Sequence, residues 1–297
     1  MTALQDTTVQ APPRTFAERL ARIVGRGPTH VILGLIALVW LLPSLGLLIT
    51  SFRPSADMRA TGWWTVLFEP RFTLDNYERV ISAEGMGGAF LNSFFITVPS
   101  TILPLFIAAM AAFALAWVKF PFRDTSFLII VAMLMVPVQV GFIPLVTAFR
   151  ESGTGILTNY GAVWLAHTAY ALPFGIFLLR NFFITLPKDL IEAARIDGAS
   201  NFGIFRTIVV PLSVPAIAAY GIFQFLWVWN DLLMALVYAQ RNAIQPMTVK
   251  VTQLLGTYAT EWSLLAAAAF LVMVVPLVVF ISLQRFFVQG LLAGSVK

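Results

Sequence analysis

Side chains able to do covalent, metal or proton chemistry are scarce in this 297-residue chain, and that scarcity bounds its function. There is no cysteine, which excludes disulfides and thiolate metal sites, and the two histidines, His30 and His167, leave little for a metal centre. No Gly-x-x-x-x-Gly-Lys-Ser/Thr phosphate loop, no Gly-x-Ser-x-Gly nucleophile elbow and no His-Glu-x-x-His helix occurs. An intramembrane hydrolase needs a nucleophile facing a base, for example Ser93 with His167. Helix packing for Ser93 and one structural hydrogen bond for His167 are the plainer readings. A secondary transporter or channel is the competing class, and ion coupling needs paired ionisable groups within spans. Asp231, in Trp227-Val-Trp-Asn-Asp231, approaches that description but has no obvious basic partner in the sequence.

The densest pattern is residues 186–216, LPKDLIEAARIDGASNFGIFRTIVVPLSVPA. Pro187 can open a helix at its first turn, and Asp189 and Glu192 sit near the positive N-terminal end of that helix. Ala193 and Ala194 favour helix with minimal bulk, and Gly198 offers a C-terminal stop. A second helical stretch follows, with Phe202, Phe205, Ile208 and Val209 spaced as one apolar stripe, and Pro211 and Pro215 mark the entry to the next apolar run. The spacing predicts a short helix, a turn and a second helix between two long apolar segments.

Those segments dominate the chain. It is 59% hydrophobic and 11% charged, against about a quarter charged in soluble proteins. Six runs free of Asp, Glu, Lys and Arg (31–52, 85–118, 125–149, 152–179, 207–230 and 262–284) reach the roughly 20 residues that span a bilayer as helix. The expectation is an all-α polytopic membrane protein. Its spans lie at 29–52, 90–118, 125–149, 160–183, 213–239 and 262–285, its loops at 53–89, 184–212 and 240–261, and its terminal segments at 1–28 and 286–297. Prolines 43, 104, 137, 144, 173 and 276 fall inside the runs, where bundled membrane helices tolerate them. With the N-terminus inside, 12 basic residues face the cytoplasm and 7 the exterior, so both termini are expected inside. The net charge of +5 is scattered around the spans and suits a membrane, not nucleic acid. The N-terminal segment reads as a retained anchor and not as a cleavable signal, residues 1–13 read as disordered, and Trp63 and Trp64 suit the outer interface. Ala108, Ala112 and Ala116, and the cluster 266–269, offer surfaces for close helix approach.

The pattern Glu192-Ala193-Ala194, Asp197-Gly198-Ala199, Phe205 and Pro211-Leu-Ser-Val-Pro215 resembles the EAA loop of binding-protein-dependent transporter permeases. Asn92-Ser93, Lys119-Phe-Pro-Phe-Arg123, Leu178-Leu-Arg-Asn-Phe-Phe183 and the tail from Gln284 to Lys297 are similar to the carbohydrate, maltose-type branch of that family. The resemblance covers about residues 28–297 and implies the type I ABC importer permease fold in the bacterial cytoplasmic membrane. It implies that Glu192, Ala193, Ala194, Asp197, Gly198, Ala199, Phe205 and Pro211 couple this chain to a cytoplasmic ATPase dimer, which binds ATP and Mg, this chain itself holding no cofactor. In that frame Glu192 pairs with a basic residue of the ATPase, and Gly198 permits the turn. It also implies a homologous second permease and an extracytoplasmic sugar-binding protein as partners, and a sugar as cargo. Trp229, Asn230 and Asp231 are candidate pathway residues: the pair offers acceptors and an amide to sugar hydroxyls, and Trp229 a face to stack on.

The lack of native cysteine makes the topology directly testable. Single cysteines at Ala60, Gly153 and Asn242 are expected to react with an impermeant thiol reagent added outside sealed cells, and one at Ser200 is not. External labelling at Ser200 overturns the orientation.

Overall fold

The computed structural model describes residues 16–82, 85–258 and 260–293, and among them every regular element is helical. The expectation of disorder for residues 1–13 lies outside the described residues. Helix α1 (Phe16–Ser51) leads to the short α2 (Ser55–Ala60) and α3 (Asp75–Ser82), then to α4 (Met86–Trp117). Next come α5 (Arg123–Met133), α6 (Phe142–Glu151) and α7 (Gly161–Phe183). The loop helices are α8 (Lys188–Ile196), α9 (Asn201–Ile204) and, after a π-helical turn over Phe205–Val209, α10 (Val210–Leu212). The chain ends with α11 (Val214–Asn230), α12 (Leu233–Tyr238), α13 (Met247–Thr257) and α14 (Trp262–Ala293).

Among the described residues, four helical stretches are long and apolar enough to cross a bilayer: Pro28–Ser51, Met86–Trp117, Gly161–Phe183 and Trp262–Arg285. Two further pairs qualify only together: α5 with Val138–Glu151, bent by 96°, and Asn201–Leu212 with α11, bent by 79°. Counting each pair as one span gives up to six. Two expected boundaries change. The run 125–149 is not one helix, because Pro137 lacks an N–H and sits extended (φ −59°, ψ 126°), stopping α5 and starting a 3-10 turn at Val138–Gly141. The span expected over 213–239 stops at Asn230 and resumes at Leu233, because Asp231 is extended (φ −74°, ψ 128°). The loops expected at 53–89 and 240–261 are themselves partly helical, holding α2 and α3, and α13.

Helix α4 is the centre: α7 and α11 pack on it, α14 packs on α11, and α1 lies outermost against α14. Small residues bring the helices close. Ala108 and Ala112 are fully buried in a core shared with Ile176, Leu179 and Phe183 of α7, and Ala267 and Ala268 are buried at the start of α14. Gly175 of α7 lies flat against the Tyr220 ring of α11, where any Cβ would collide with it. The Tyr220 hydroxyl donates to the Ala171 carbonyl at 3.0 Å.

Prolines inside helices create the other interhelical ties. A proline leaves the carbonyl four residues earlier without its helical donor, and a bare carbonyl in hydrocarbon costs several kcal/mol. Pro99 and Pro104 lie within α4 and Pro276 within α14. The Phe95 carbonyl, freed by Pro99, accepts from Trp164 Nε1 of α7 at 2.7 Å. The Ser100 carbonyl, freed by Pro104, accepts from Gln224 Nε2 of α11 at 3.1 Å. The Val272 carbonyl, freed by Pro276, accepts from Trp229 Nε1 of α11 at 2.9 Å. These three prolines are each answered by a donor from a neighbouring helix.

At the end of the bundle away from α8, Arg53 is 4% exposed and donates to the Gly62 carbonyl (2.7 Å), Thr61 Oγ1 (2.6 Å) and Thr65 Oγ1 (3.1 Å), so its burial is offset by neutral acceptors. Asn76 of α3 donates to the carbonyls of Ser51 and Arg53, closing the end of α1. Arg79 bonds Glu261 at 2.6 Å, which raises its pKa and ties α3 to the start of α14.

If the proline ties matter, a double-mutant cycle will show it. Trp229→Phe is expected to cost about 0.5–2 kcal/mol, and clearly less in a Pro276→Ala background, where α14 regains its own N–H for Val272. Thermal unfolding in detergent reads both. Equal costs in the two backgrounds refute the tie.

Candidate functional site

The first candidate region is α8 and its surroundings. Pro187 precedes the helix and Asp189 lies in its first turn. One side chain anchors it: Ile191, 1% exposed, enters the core formed by Leu179, Phe183 and Ile204, with Ala194 half-buried beside it. Glu192, Ala193, Asp197, Gly198 and Ala199 are exposed, and so is Ile196 at 86%. The helix therefore presents an acidic residue, a small one and a bare apolar one on its outward side.

It ends in a Schellman motif. Gly198 N–H donates to the Arg195 carbonyl (3.1 Å) and Ala199 N–H to the Ala194 carbonyl (2.9 Å), with Gly198 at φ +81°. A Cβ at Gly198 would meet nothing within 4 Å, so the glycine answers to backbone conformation and not to space. Ser200 then caps α9, its Oγ accepting from Gly203 N–H at 3.1 Å. Phe205 is buried against Phe113 with ring centroids 5.4 Å apart, and Pro211 is exposed. The expected stripe of Phe202, Phe205, Ile208 and Val209 needs one correction: Phe202 is 59% exposed and Ile204 takes the inward position. The π-helical turn at Phe205–Val209 breaks the 3.6-residue period on which that stripe rests.

Two bonds carry α8 into the bundle. Arg195 Nη2 donates to the Trp117 carbonyl at the end of α4 (2.6 Å), and Trp117 Nε1 donates to the Phe183 carbonyl at the end of α7 (3.1 Å). Both acceptors are last-turn carbonyls, that of Phe183 also taking Leu186 N–H at 3.3 Å. Neither Arg195 nor Trp117 stands out in the sequence; only the helix ends that they close explain them.

The second candidate region is the break after α11. Asp231 Oδ2 accepts from the N–H groups of Met234 (2.8 Å) and Ala235 (3.3 Å), so the carboxylate starts α12. His167 of α7, 2% exposed, brings Nε2 to 3.9 Å from the same oxygen. The two lie on different helices, so the sequence around Asp231 shows no basic partner for it. Trp229 is placed otherwise than expected. It is 2% exposed, packed among Phe90, Phe94 and Phe225, and its Nε1 serves the Val272 carbonyl, so it offers no face to a ligand. Asn230 is exposed, with Nδ2 turned back to the Leu226 carbonyl at 2.8 Å. The outward tryptophan is Trp227, 60% exposed. A cavity of about 330 Å³ opens beside it between α5, α7 and α11, with His167, Tyr170, Gln224 and Met234 in its wall. A second hollow of about 330 Å³ holds Gln139, Asn230 and Asp231, and Val138, Trp227 and Met234 line both. Helical spacing signals the face: Gln224, Trp227 and Asp231 stand three and four residues apart, whereas Trp229 points elsewhere.

The hydrolase alternative gains nothing, because Ser93 is engaged in a structural bond. Ser93 Oγ accepts from Met247 N–H at 3.0 Å, at the start of α13. Its neighbour Asn92 donates to the carbonyls of Ala243 and Gln245 and accepts from Tyr160 Oη at 2.6 Å. The Asn-Ser pair at the head of α4 thus fixes the loop before α13.

Residues 104–292 match the model of the binding-protein-dependent transport system inner membrane component family. The osmoprotective compounds uptake permease protein GgtD of Synechocystis sp. is 52% identical, over 91% of this chain and 92% of that protein. The alpha-glucoside transport system permease protein AglG of Rhizobium meliloti is 48% identical, over 83% of this chain and 68% of that one. A solved bacterial ABC transporter involved in import of the acidic polysaccharide alginate superposes with a TM-score of 0.72 at 22% identity, covering 93% of this chain and 100% of the other, which shows a common fold.

The Gly198 geometry yields a graded expectation. Gly198→Val is expected to destabilise the 188–204 segment by about 1–2 kcal/mol, and Gly198→Asn by less, because asparagine visits the left-handed region. Limited proteolysis within that segment measures it. Equal cleavage of the two variants contradicts the conformational role.

Proposed function

This chain belongs to the binding-protein-dependent transport system inner membrane components, and from that membership we propose how it works as the permease subunit of an ATP-driven importer. As a multi-pass membrane component of such a transporter it is not an enzyme in its own right, and the secondary-transporter and channel readings fall away. The cargo we propose is a sugar: a disaccharide, oligosaccharide or other glycoside. Support comes from the alpha-glucoside transport system named for one relative, 48% identical to this chain. The proposed topology is six spans with both termini cytoplasmic, the two bent pairs counting as one span each.

The observation that carries the coupling role is the outward side of α8. Its Glu192 and Ala193 stand exposed on a helix held rigid at three points: Ile191 in the core, Arg195 on the Trp117 carbonyl, and the Schellman turn at Gly198. In the proposed assembly this side seats in a cleft of a cytoplasmic ATPase dimer, which binds ATP and Mg. Glu192 pairs with a basic residue there, and the small Ala193 admits close approach. Asp197 and Ala199 lie at the rim of the contact. Ala194, Phe205 and Pro211 support it from behind, since Phe205 is buried against α4. A homologous second permease completes the membrane unit, and an extracytoplasmic binding protein delivers the sugar at the opposite end.

Ala193→Trp tests the reading. The variant is expected to insert normally, because position 193 faces away from the core, yet to lose co-purification with the ATPase and to lower sugar uptake at least tenfold. Normal uptake with the ATPase still bound refutes the coupling role of α8.

A further inference from the structure

We propose that the two hollows beside the α11–α12 break form a subsite, on this chain itself, for two adjacent units of an uncharged glycoside, with the Trp227 ring as the divider between them. This rests on the sugar-import reading and names the residues that touch the cargo.

The hollows adjoin through shared walls of Val138, Trp227 and Met234. At about 330 Å³ each they stand at the small end of ligand pockets, roughly 300–1,000 Å³. One hollow alone suits a single small ring, and the pair in line suits a linked pair of rings. Their chemistry is that of a sugar site. Sugar rings show an apolar C–H face, which aromatic rings cover, and a rim of hydroxyls, which need donors and acceptors. The first hollow has a largely apolar wall, and in it Tyr170 and Trp227 stand beside His167 and Gln224. The second sets Trp227 beside Gln139, Asn230 and Asp231.

The polar groups have capacity left for a ligand. Gln224 spends its amide N–H on the Ser100 carbonyl, leaving its own carbonyl oxygen to accept. Asp231 directs both capping bonds to Oδ2, leaving Oδ1 for hydroxyl donors. The backbone break that Asp231 organises is therefore also what places a carboxylate at the side of a span, where an unused charge is costly.

Charge sets the class of cargo. Among the described residues, neither hollow is lined by lysine or arginine, while Asp231 contributes a carboxylate. A uronate brought there meets a like charge with no lysine or arginine beside it, His167 being already turned to Asp231 at 3.9 Å, whereas a neutral glycoside offers only donors and acceptors. The subsite is therefore selective for uncharged sugars.

The test uses the complete transporter, with its binding protein and ATPase, in proteoliposomes. Uptake is compared for a neutral α-linked disaccharide and for the same disaccharide with one unit oxidised to the uronic acid. Trp227→Ala is expected to lower neutral uptake about tenfold and Trp227→Phe to keep at least half of it, with both variants still co-purifying with the ATPase. Asp231→Asn can still accept the capping N–H bonds, and is expected to narrow the preference for neutral over acidic sugar about tenfold, a change that a purely structural cap does not produce. Unchanged uptake and unchanged preference in Trp227→Ala and Asp231→Asn overturn the subsite and leave the hollows to a lipid chain. Joint loss of uptake and ATPase co-purification in both Trp227 variants also overturns it, marking the residue as part of subunit assembly. A wild-type transporter that moves neither sugar removes the sugar-import reading itself.

Discussion

Everything in this bundle depends on the cost of leaving a backbone carbonyl bare in hydrocarbon. Water cannot reach such a group, so a carbonyl freed by a proline within a span is stabilised by a substitute donor. Pro99, Pro104 and Pro276 are answered by Trp164, Gln224 and Trp229, which ties α4 to α7, α4 to α11 and α14 to α11. The same rule acts at helix ends, where Arg195 and Trp117 close the carbonyls of Trp117 and Phe183. Apolar contact gives little preference between protein and lipid neighbours, because both are oily; small residues permit close approach, and these directional bonds fix which helix meets which.

Helix α11 links the two candidate regions. It starts at Val214, directly after the loop that holds α8 to α10, and ends at Asn230, beside the two hollows. Its 17 residues make a rod about 26 Å long. Along that rod Tyr220 bonds α7, Gln224 bonds α4 and Trp229 bonds α14. The rod joins the α8 end to the Asp231 end, and at Asp231 the chain leaves helical geometry.

Much of this was legible in the sequence, and what escaped has a common cause. The apolar runs mark α1, α4, α7 and α14 because length and hydropathy are properties of one segment. The α8 stop at Gly198 was legible because a left-handed residue after a helix has a strong chemical preference. The break at Pro137 and the exposure of Phe202 were not, because a proline in a membrane run is compatible with either a continuous or a broken helix, and a π turn leaves no compositional mark. Trp229 misled for another reason: beside Asn230 and Asp231 it looks like part of a polar site, but neighbours in a helical sequence face different ways. The Gln224, Trp227, Asp231 spacing carried the better signal. The nearness of His167 to Asp231 lay beyond sequence reasoning, because it depends on how two helices register.

The proline ties also impose an order on biogenesis. The chain is made from its N-terminus, so α4 enters the bilayer with the carbonyls of Phe95 and Ser100 bare before Trp164 and Gln224 have been synthesised. The donors follow 69 residues later for Phe95 and 124 later for Ser100. The α14 tie runs the other way: Trp229 is already in place when the Val272 carbonyl arrives. In the early half of the molecule the acceptors therefore precede their donors, and the late half docks onto a donor that is already waiting.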